Sequence, residues 1–256
     1  MTSFNVATNL LAGTALLLVS VISVKPASAA SVLYYRDYVI GTDAMEQALS
    51  ALSSSGNSVT IASDSTQFES LISNSTFDLG IFFAQGYSAD SYTSAINALG
   101  NFVSTGGKAI YADWSRNSGL AAQFGASFTG GSPNQNQMTV QSPQLGLGTY
   151  AFNSPGWGIY TTGLAALPGS SVLATFPGSD AAIVRSGNGR SIVNGFLSDT
   201  FSDGTQGKAL YTAQISSLLD QPTAVPTPAL LPGLIGLGMG VLRKRKAEAA
   251  KQAVEV

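Results

Sequence analysis

Leu79-Gly80-Ile81-Phe82-Phe83-Ala84 is a run of six residues without a polar side chain, closed by Gln85-Gly86. A strand with one face in water alternates apolar and polar residues. A strand apolar throughout is covered on both faces, as a central parallel strand is. Working outward, Val32-Leu33-Tyr34-Tyr35, Val59-Thr60-Ile61-Ala62 and Ala109-Ile110-Tyr111-Ala112 read as further strands. Helical stripes separate them: Met45, Ala48, Leu49 and Leu52 after a cap at Thr42 or Asp43; Phe68, Leu71 and Ile72; then Tyr92, Ile96, Leu99 and Val103. Thr66-Gln67-Phe68-Glu69 has the spacing of a capping box for the second helix. Leu120, Ala121 and Phe124 fit a short helix after the fourth strand. Strands separated by helices of this length predict a parallel sheet with right-handed crossovers and helices on both faces.

After Gly125 the pattern changes. Asn134 to Gly169 is rich in Gly, Pro, Asn and Gln, with only short apolar pieces. Val172 to Phe176, Ala181 to Val184 and Ser191 to Asn194 then read as strands. Ser186-Gly187-Asn188-Gly189 is a hairpin turn between the last two. Tyr211, Ile215, Leu218 and Leu219 form a closing helical stripe, and Gln221-Pro222-Thr223 begins a linker. The expected fold class is α/β: a mostly parallel sheet in flavodoxin-like order with one late antiparallel hairpin.

The strand ending in Tyr34-Tyr35-Arg36, the Phe77 to Phe83 strand, the Phe102 to Ile110 segment and the Ala182 to Val193 hairpin together resemble the class I glutamine-amidotransferase-like fold, including its non-catalytic ThuA-like relatives. In the catalytic members of that family a Cys sits on the sharp turn after a central strand, served by a later His and Glu. Here that turn reads Tyr111-Ala112-Asp113-Trp114-Ser115-Arg116-Asn117. The 256-residue chain has no Cys and no His, so amidotransferase chemistry does not carry over. The same absences exclude disulfides, Ser-His-Asp and Cys-His nucleophiles, and Cys- or His-ligated metals.

The chain is 45% hydrophobic and only 10% charged, with a formal net charge of -2. Most basic residues outside the core are at the end. Between Ser31 and Asp220, six Lys and Arg face twelve Asp and Glu, a net charge near -6. Such a surface is unsuited to nucleic acid.

Both ends are apolar. Leu10 to Val24 is fifteen residues without charge, followed by Lys25-Pro26 and the small residues Ala27-Ser28-Ala29-Ala30. This is the pattern of a secretory signal peptide cleaved after Ala29 or Ala30, although no Lys or Arg precedes the run. At the other end Pro226-Thr227-Pro228-Ala229 leads into an uncharged run to Leu242, then Arg243-Lys244-Arg245-Lys246. Fourteen apolar residues rise about 21 Å as a helix, short of a hydrocarbon core of about 30 Å. The four cations favour the cytoplasmic side. The glycines Gly236, Gly238 and Gly240 have no preceding strand and suit helix contacts in a membrane better than a nucleotide loop. This tail resembles the PEP-CTERM sorting signal in its Pro-Thr-Pro-Ala variant. The resemblance implies removal by an exosortase in bacteria that make extracellular polysaccharide. Ten residues after the basic block depart from the family pattern. The expected organisation is a signal peptide (1–30), an α/β domain (31–220), a linker with the sorting motif (221–228), and a short membrane segment with a basic tail (229–256). Signal peptidase, the export machinery, the exosortase and the membrane are the implied partners, and the cell surface or the medium the destination. No cofactor is implied.

Ligands of open parallel sheets bind beyond the carboxyl ends of the strands. The loops expected there offer Asp37 and Tyr38; Ser63 and Asp64; Gln85 and Tyr87; and Asp113, Trp114 and Arg116. Aromatic faces, an amide and a guanidinium suit a sugar or peptide. Asp37 and Asp113 are also candidates for the paired carboxylates of a glycosidase, a mechanism that needs neither Cys nor His. Ser115 lacks a His base, and Lys108 falls at the far end of its strand. Asp199 and Asp203 invite a calcium loop, but the EF-hand spacing and closing Glu are missing, so a helix-capping turn is expected. No metal site is expected.

Overall fold

The computed structural model describes residues 29–219, apart from Ser154, Pro155, Trp157 and Ile159. The signal-peptide run with Ala27, the sorting motif Pro226 to Ala229, the basic block Arg243 to Lys246 and both apolar terminal segments lie outside the described residues.

The first half follows the expected alternation: β1 (Ser31–Arg36), α1 (Ala44–Ser54), β2 (Ser58–Ile61), α2 (Ser65–Asn74), β3 (Leu79–Ala84), α3 (Thr93–Ser104), β4 (Lys108–Asp113) and α4 (Ser118–Ala121). These strands stand in the order β2-β1-β3-β4, all parallel. All six residues of β3 are buried. Alternate side chains of the central strands enter two cores. Tyr34, Ile81 and Phe83 pack with Met45 and Leu49 of α1. Tyr35, Phe82 and Tyr111 pack with Phe68 of α2 and Ile96 and Leu99 of α3. Gly80 allows the close approach on that second face, since a Cβ there would lie 2.5 Å from Leu99 Cδ1.

The caps explain where the helices begin. Asp43 caps α1, its Oδ1 accepting from the amides of Met45 and Glu46. Its Oδ2 accepts from the buried Tyr34 hydroxyl at 2.7 Å and pairs with Arg36. At α2 the cap is Asp64, accepting from the Gln67 amide, and the Gln67 side chain reaches back to the Ser63 amide. The expected box on Thr66 and Glu69 does not form. A carboxylate two residues earlier takes the orphan N–H groups, and Glu69 instead accepts from the Ser94 hydroxyl on α3.

The second half is β5 (Ala126–Phe128), β6 (Gln137–Val140), β7 (Gly148–Ala151), β8 (Leu164–Ala166), β9 (Ser171–Thr175), β10 (Ala181–Arg185), β11 (Ser191–Asn194) and α5 (Gly204–Leu219). The sheet continues past β4 as β11-β10-β9-β6-β7, with β8 beside β10 and β5 beside β8. β11 lies parallel to β4, and every later pairing is antiparallel. The sheet is therefore mixed, not mostly parallel with a single hairpin. The links between these strands are too short for crossover helices, so the chain must turn back on itself. The β10–β11 hairpin is present, with Gly189 at φ 73° in its turn. The helix α5 packs along α1 and extends the first core under β6 and β9 through Met138, Val140 and Ala174. Among the described residues no helix is long and apolar enough to cross a membrane.

Ala29 is exposed, whereas Ala30 is buried, donates its N–H to Asn57 Oδ1 at 2.8 Å and accepts from the Ser58 amide.

Candidate functional site

The loops after β1, β3 and β4 meet at the carboxyl edge of the sheet. Asp37 leaves β1, and its carboxylate gathers the amides of Gln85, Gly86 and Tyr87 after β3. It also accepts from the Tyr92 hydroxyl at 3.1 Å. Burial beside that carboxylate pushes the Tyr92 phenol up. Asp37 thus fastens two loops together with both oxygens occupied.

Gln85 is buried and equally committed. Its Nε2 donates to the Tyr38 carbonyl and its Oε1 accepts from the Ser198 amide, each within 2.7 Å. The Ser198 contact brings in the loop after β11, which the sequence did not mark as part of the rim. In the same loop Asp199 is buried and accepts from the Ile40 amide. Burial raises its carboxyl to about 6, and the nearby Asp43 adds to the rise. Asp203 lies apart from it and accepts from the Thr205 amide, capping α5. The expected helix-capping turn is therefore present. Among the described residues no group of three or more Asp, Glu, His or Cys side chains is placed to hold a metal ion.

Asp113 ends β4 and shapes the turn that follows. Its Oδ1 accepts from the amide and hydroxyl of Ser115, and its Oδ2 from the Asn117 amide. Burial raises its carboxyl even against those donors. The Ser115 hydroxyl donates to Asp113 and accepts from the Ala89 amide, so it too is part of the turn. Lys108 opens β4, at the opposite end of the strand from Ser115.

The side chains left open at this edge are mainly aromatic. Tyr38, Tyr87 and Trp114 are exposed. Trp114 meets Tyr160 edge to face, with centroids 6.2 Å apart. The Tyr160 hydroxyl donates to the Trp114 carbonyl and accepts from Arg116 Nε at 3.1 Å. Arg116 also lies over the Tyr160 ring, 5.8 Å from its centroid. Gln85, Gly86, Trp114, Tyr160 and Leu197 line a mostly apolar cleft of about 270 Å³.

The structure therefore brings together Asp37, Tyr38, Gln85, Tyr87, Asp113, Trp114 and Arg116, the expected rim. It divides them by role. Asp37, Gln85 and Asp113 hold loops, Gln85 and Trp114 line the cleft, and Arg116 stands against Tyr160 of its wall. Asp64 is a helix cap. Tyr160 and Leu197 were not legible. Tyr160 comes from the Gly- and Pro-rich stretch, where no periodicity marks an inward or outward side. Leu197 follows a strand that is buried on both faces.

No family model matches the chain, and no curated protein matches it in sequence. Solved structures do match in fold. A glutamine amidotransferase from Thermotoga maritima superposes with a TM-score of 0.53 at 11% identity, covering 76% of this chain and 100% of that one. A protein described as ThuA-like from Bacteroides uniformis superposes with a TM-score of 0.51 at 13% identity, covering 77% and 94%. The domain has a ThuA-like, glutamine-amidotransferase-like α/β fold with a mixed sheet. At these identities the likeness is one of fold.

Proposed function

We propose that this chain is an exported, exosortase-sorted protein of the cell envelope or extracellular matrix, whose α/β domain binds a sugar without turning it over. The observation that carries the binding part is the Trp114–Tyr160 corner of the cleft. Two aromatic faces beside an open apolar hollow suit the C–H face of a pyranose. The non-catalytic part rests on the missing Cys and His, and on the donors that already occupy Asp37 and Asp113. A carboxylate holding several backbone amides is poorly placed to trade protons with a substrate.

Export and sorting rest on the two terminal patterns in the sequence. The start of the fold supports one of the two cleavage positions. A cut after Ala29 leaves Ala30 as the mature amino terminus, still able to donate to Asn57. A cut after Ala30 removes that bond and the Ala30 carbonyl that Ser58 uses.

Two measurements test the reading. The intact mass of the protein recovered from the cell surface or medium should begin at Ala30 and lack Arg243 to Lys246. A mature form that keeps the four cations makes the tail a plain anchor. On a panel of oligosaccharides, Trp114→Ala should weaken binding by about tenfold, as expected for loss of a stacking face. Hydrolysis that disappears in Asp113→Asn would replace the binding reading with that of a glycosidase.

A further inference from the structure

The turn after β4 contains a conformational anomaly. Arg116 has φ 64°, in the left-handed region. That conformation costs an L-residue with a Cβ roughly 1 kcal/mol. Glycine takes it freely, and this chain uses glycine in that way at twelve described positions. The other described non-glycine residues at positive φ are Ser132, Asn134 and Ser179, all short. Arg116 is the single long side chain among the described residues held so. Strain of this kind persists where the surroundings fix it, and it gathers at binding sites.

Its surroundings do fix it. Asp113 ties the backbone on both sides, through Ser115 and Asn117. Tyr160 orients the guanidinium by accepting from Nε and by lying beneath it. Among the described residues the two terminal guanidinium nitrogens have no hydrogen-bond partner. Arg36 and Arg185 differ: Arg36 pairs with Asp43 and Glu46, and Arg185 bonds to the Gly189 and Ser217 carbonyls. A guanidinium fixed through Nε, with its terminal donors free, is preset for a planar anion such as a carboxylate.

The geometry points to a uronate as the cleft's ligand: the pyranose stacks in the Trp114–Tyr160 corner and its carboxylate meets Arg116. This rests on the sugar-binding reading above and narrows it to acidic polysaccharide. The net negative charge of the domain does not decide the matter. At physiological salt, charges beyond about 8 Å are largely screened, whereas a contact pair is not.

The test uses the full chain in mild detergent, with calorimetric titration of oligogalacturonate and of a neutral cello-oligosaccharide of equal length. Oligogalacturonate should bind at least about tenfold more tightly, and Arg116→Gln should remove that preference. Arg116→Gly is the companion variant. Glycine suits the left-handed turn, so its Tm should be undiminished while the acidic preference is lost. Equal binding of both oligosaccharides by the unaltered protein, or an acidic preference that survives Arg116→Gly, overturns the uronate assignment and leaves sugar binding standing. Binding of neither ligand, with Trp114→Ala indistinguishable from the parent, overturns both.

Discussion

β3 and β7 belong to one sheet and live in different surroundings. All six residues of β3 are buried, whereas β7 is exposed but for a half-buried Tyr150. Their neighbours make the difference. β3 lies between β1 and β4, with α1 and α5 on one side and α2 and α3 on the other. β7 is an edge strand, paired among the described strands with β6 alone. β6 in turn alternates, with Met138 and Val140 in the core and Gln137 and Thr139 in solvent. The parallel strands and the adjoining β11 and β10 are stabilised by burial on two faces, the outer strand β6 by burial on one. Edge strands with polar residues and glycine also resist unwanted pairing with other chains.

The sharpest way to break this contrast is to cut the core of β3. Phe83 is fully buried and packs on Tyr34 and Tyr211. Phe83→Ala should cost about 3–5 kcal/mol in denaturant unfolding, through lost burial and the cavity left behind. A loss below about 1 kcal/mol would mean that the two-faced core is not what stabilises this half.

The next variant tests the join between fold and rim. Asp37→Ala removes the acceptor for three loop amides and the Tyr92 hydroxyl. It should cost about 2 kcal/mol and weaken sugar binding by loosening the Gln85–Gly86 wall of the cleft. Full stability with full binding would show that the loop holds its shape without the clamp.

Asp199 sits in the loop between β11 and α5, against the loop that follows β1, and its effect on stability has the opposite sign to that of most carboxylates. An unfolded Asp titrates near 4, and here burial raises the folded value to about 6. The fold therefore prefers the protonated form. Its ionisation opposes folding at neutral pH, and that penalty is relieved as pH falls from about 7 to about 4. Asp199→Asn keeps an acceptor for the Ile40 amide and removes the charge. It should be more stable than the parent by about 1–2 kcal/mol at pH 7.5, with the gap closing by pH 4. A constant gap across that range would place its origin elsewhere than in the titration.

The smallest effect belongs to β7. Thr149→Ala changes an exposed edge position and should alter stability by less than about 0.5 kcal/mol. A larger loss would show that this edge is covered in the intact protein.

The residues themselves explain what was legible. Leu79 to Ala84 announced a doubly covered strand because continuous apolar sequence has few other uses in a soluble domain. The stripes on α1, α2 and α3 repeat at helical spacing, so their inward faces could be named. The stretch from Asn134 to Gly169 has no such period, and β6, β7 and β8 were missed there. Each is three or four residues long and acquires its hydrogen bonds only from strands distant in sequence. Polar residues behaved likewise. Asp37 and Asp113 were placed at the rim by topology, yet in sequence a free carboxylate and one clamped by backbone amides look alike.

By itself, the sequence determined the strand–helix alternation of the first half, the inward stripes of its helices, a helix cap at Thr42 or Asp43, and the lack of Cys–His chemistry. These follow from local periodicity and from residue inventory, which need no knowledge of distant partners. Tertiary structure alone decided that the sheet is mixed and that Tyr160 stands opposite Trp114. It alone assigned Asp37, Gln85 and Asp113 to holding loops, and placed Arg116 in a left-handed turn with its Nε held by Tyr160. Each of these depends on contacts between segments tens of residues apart, and no local pattern encodes them.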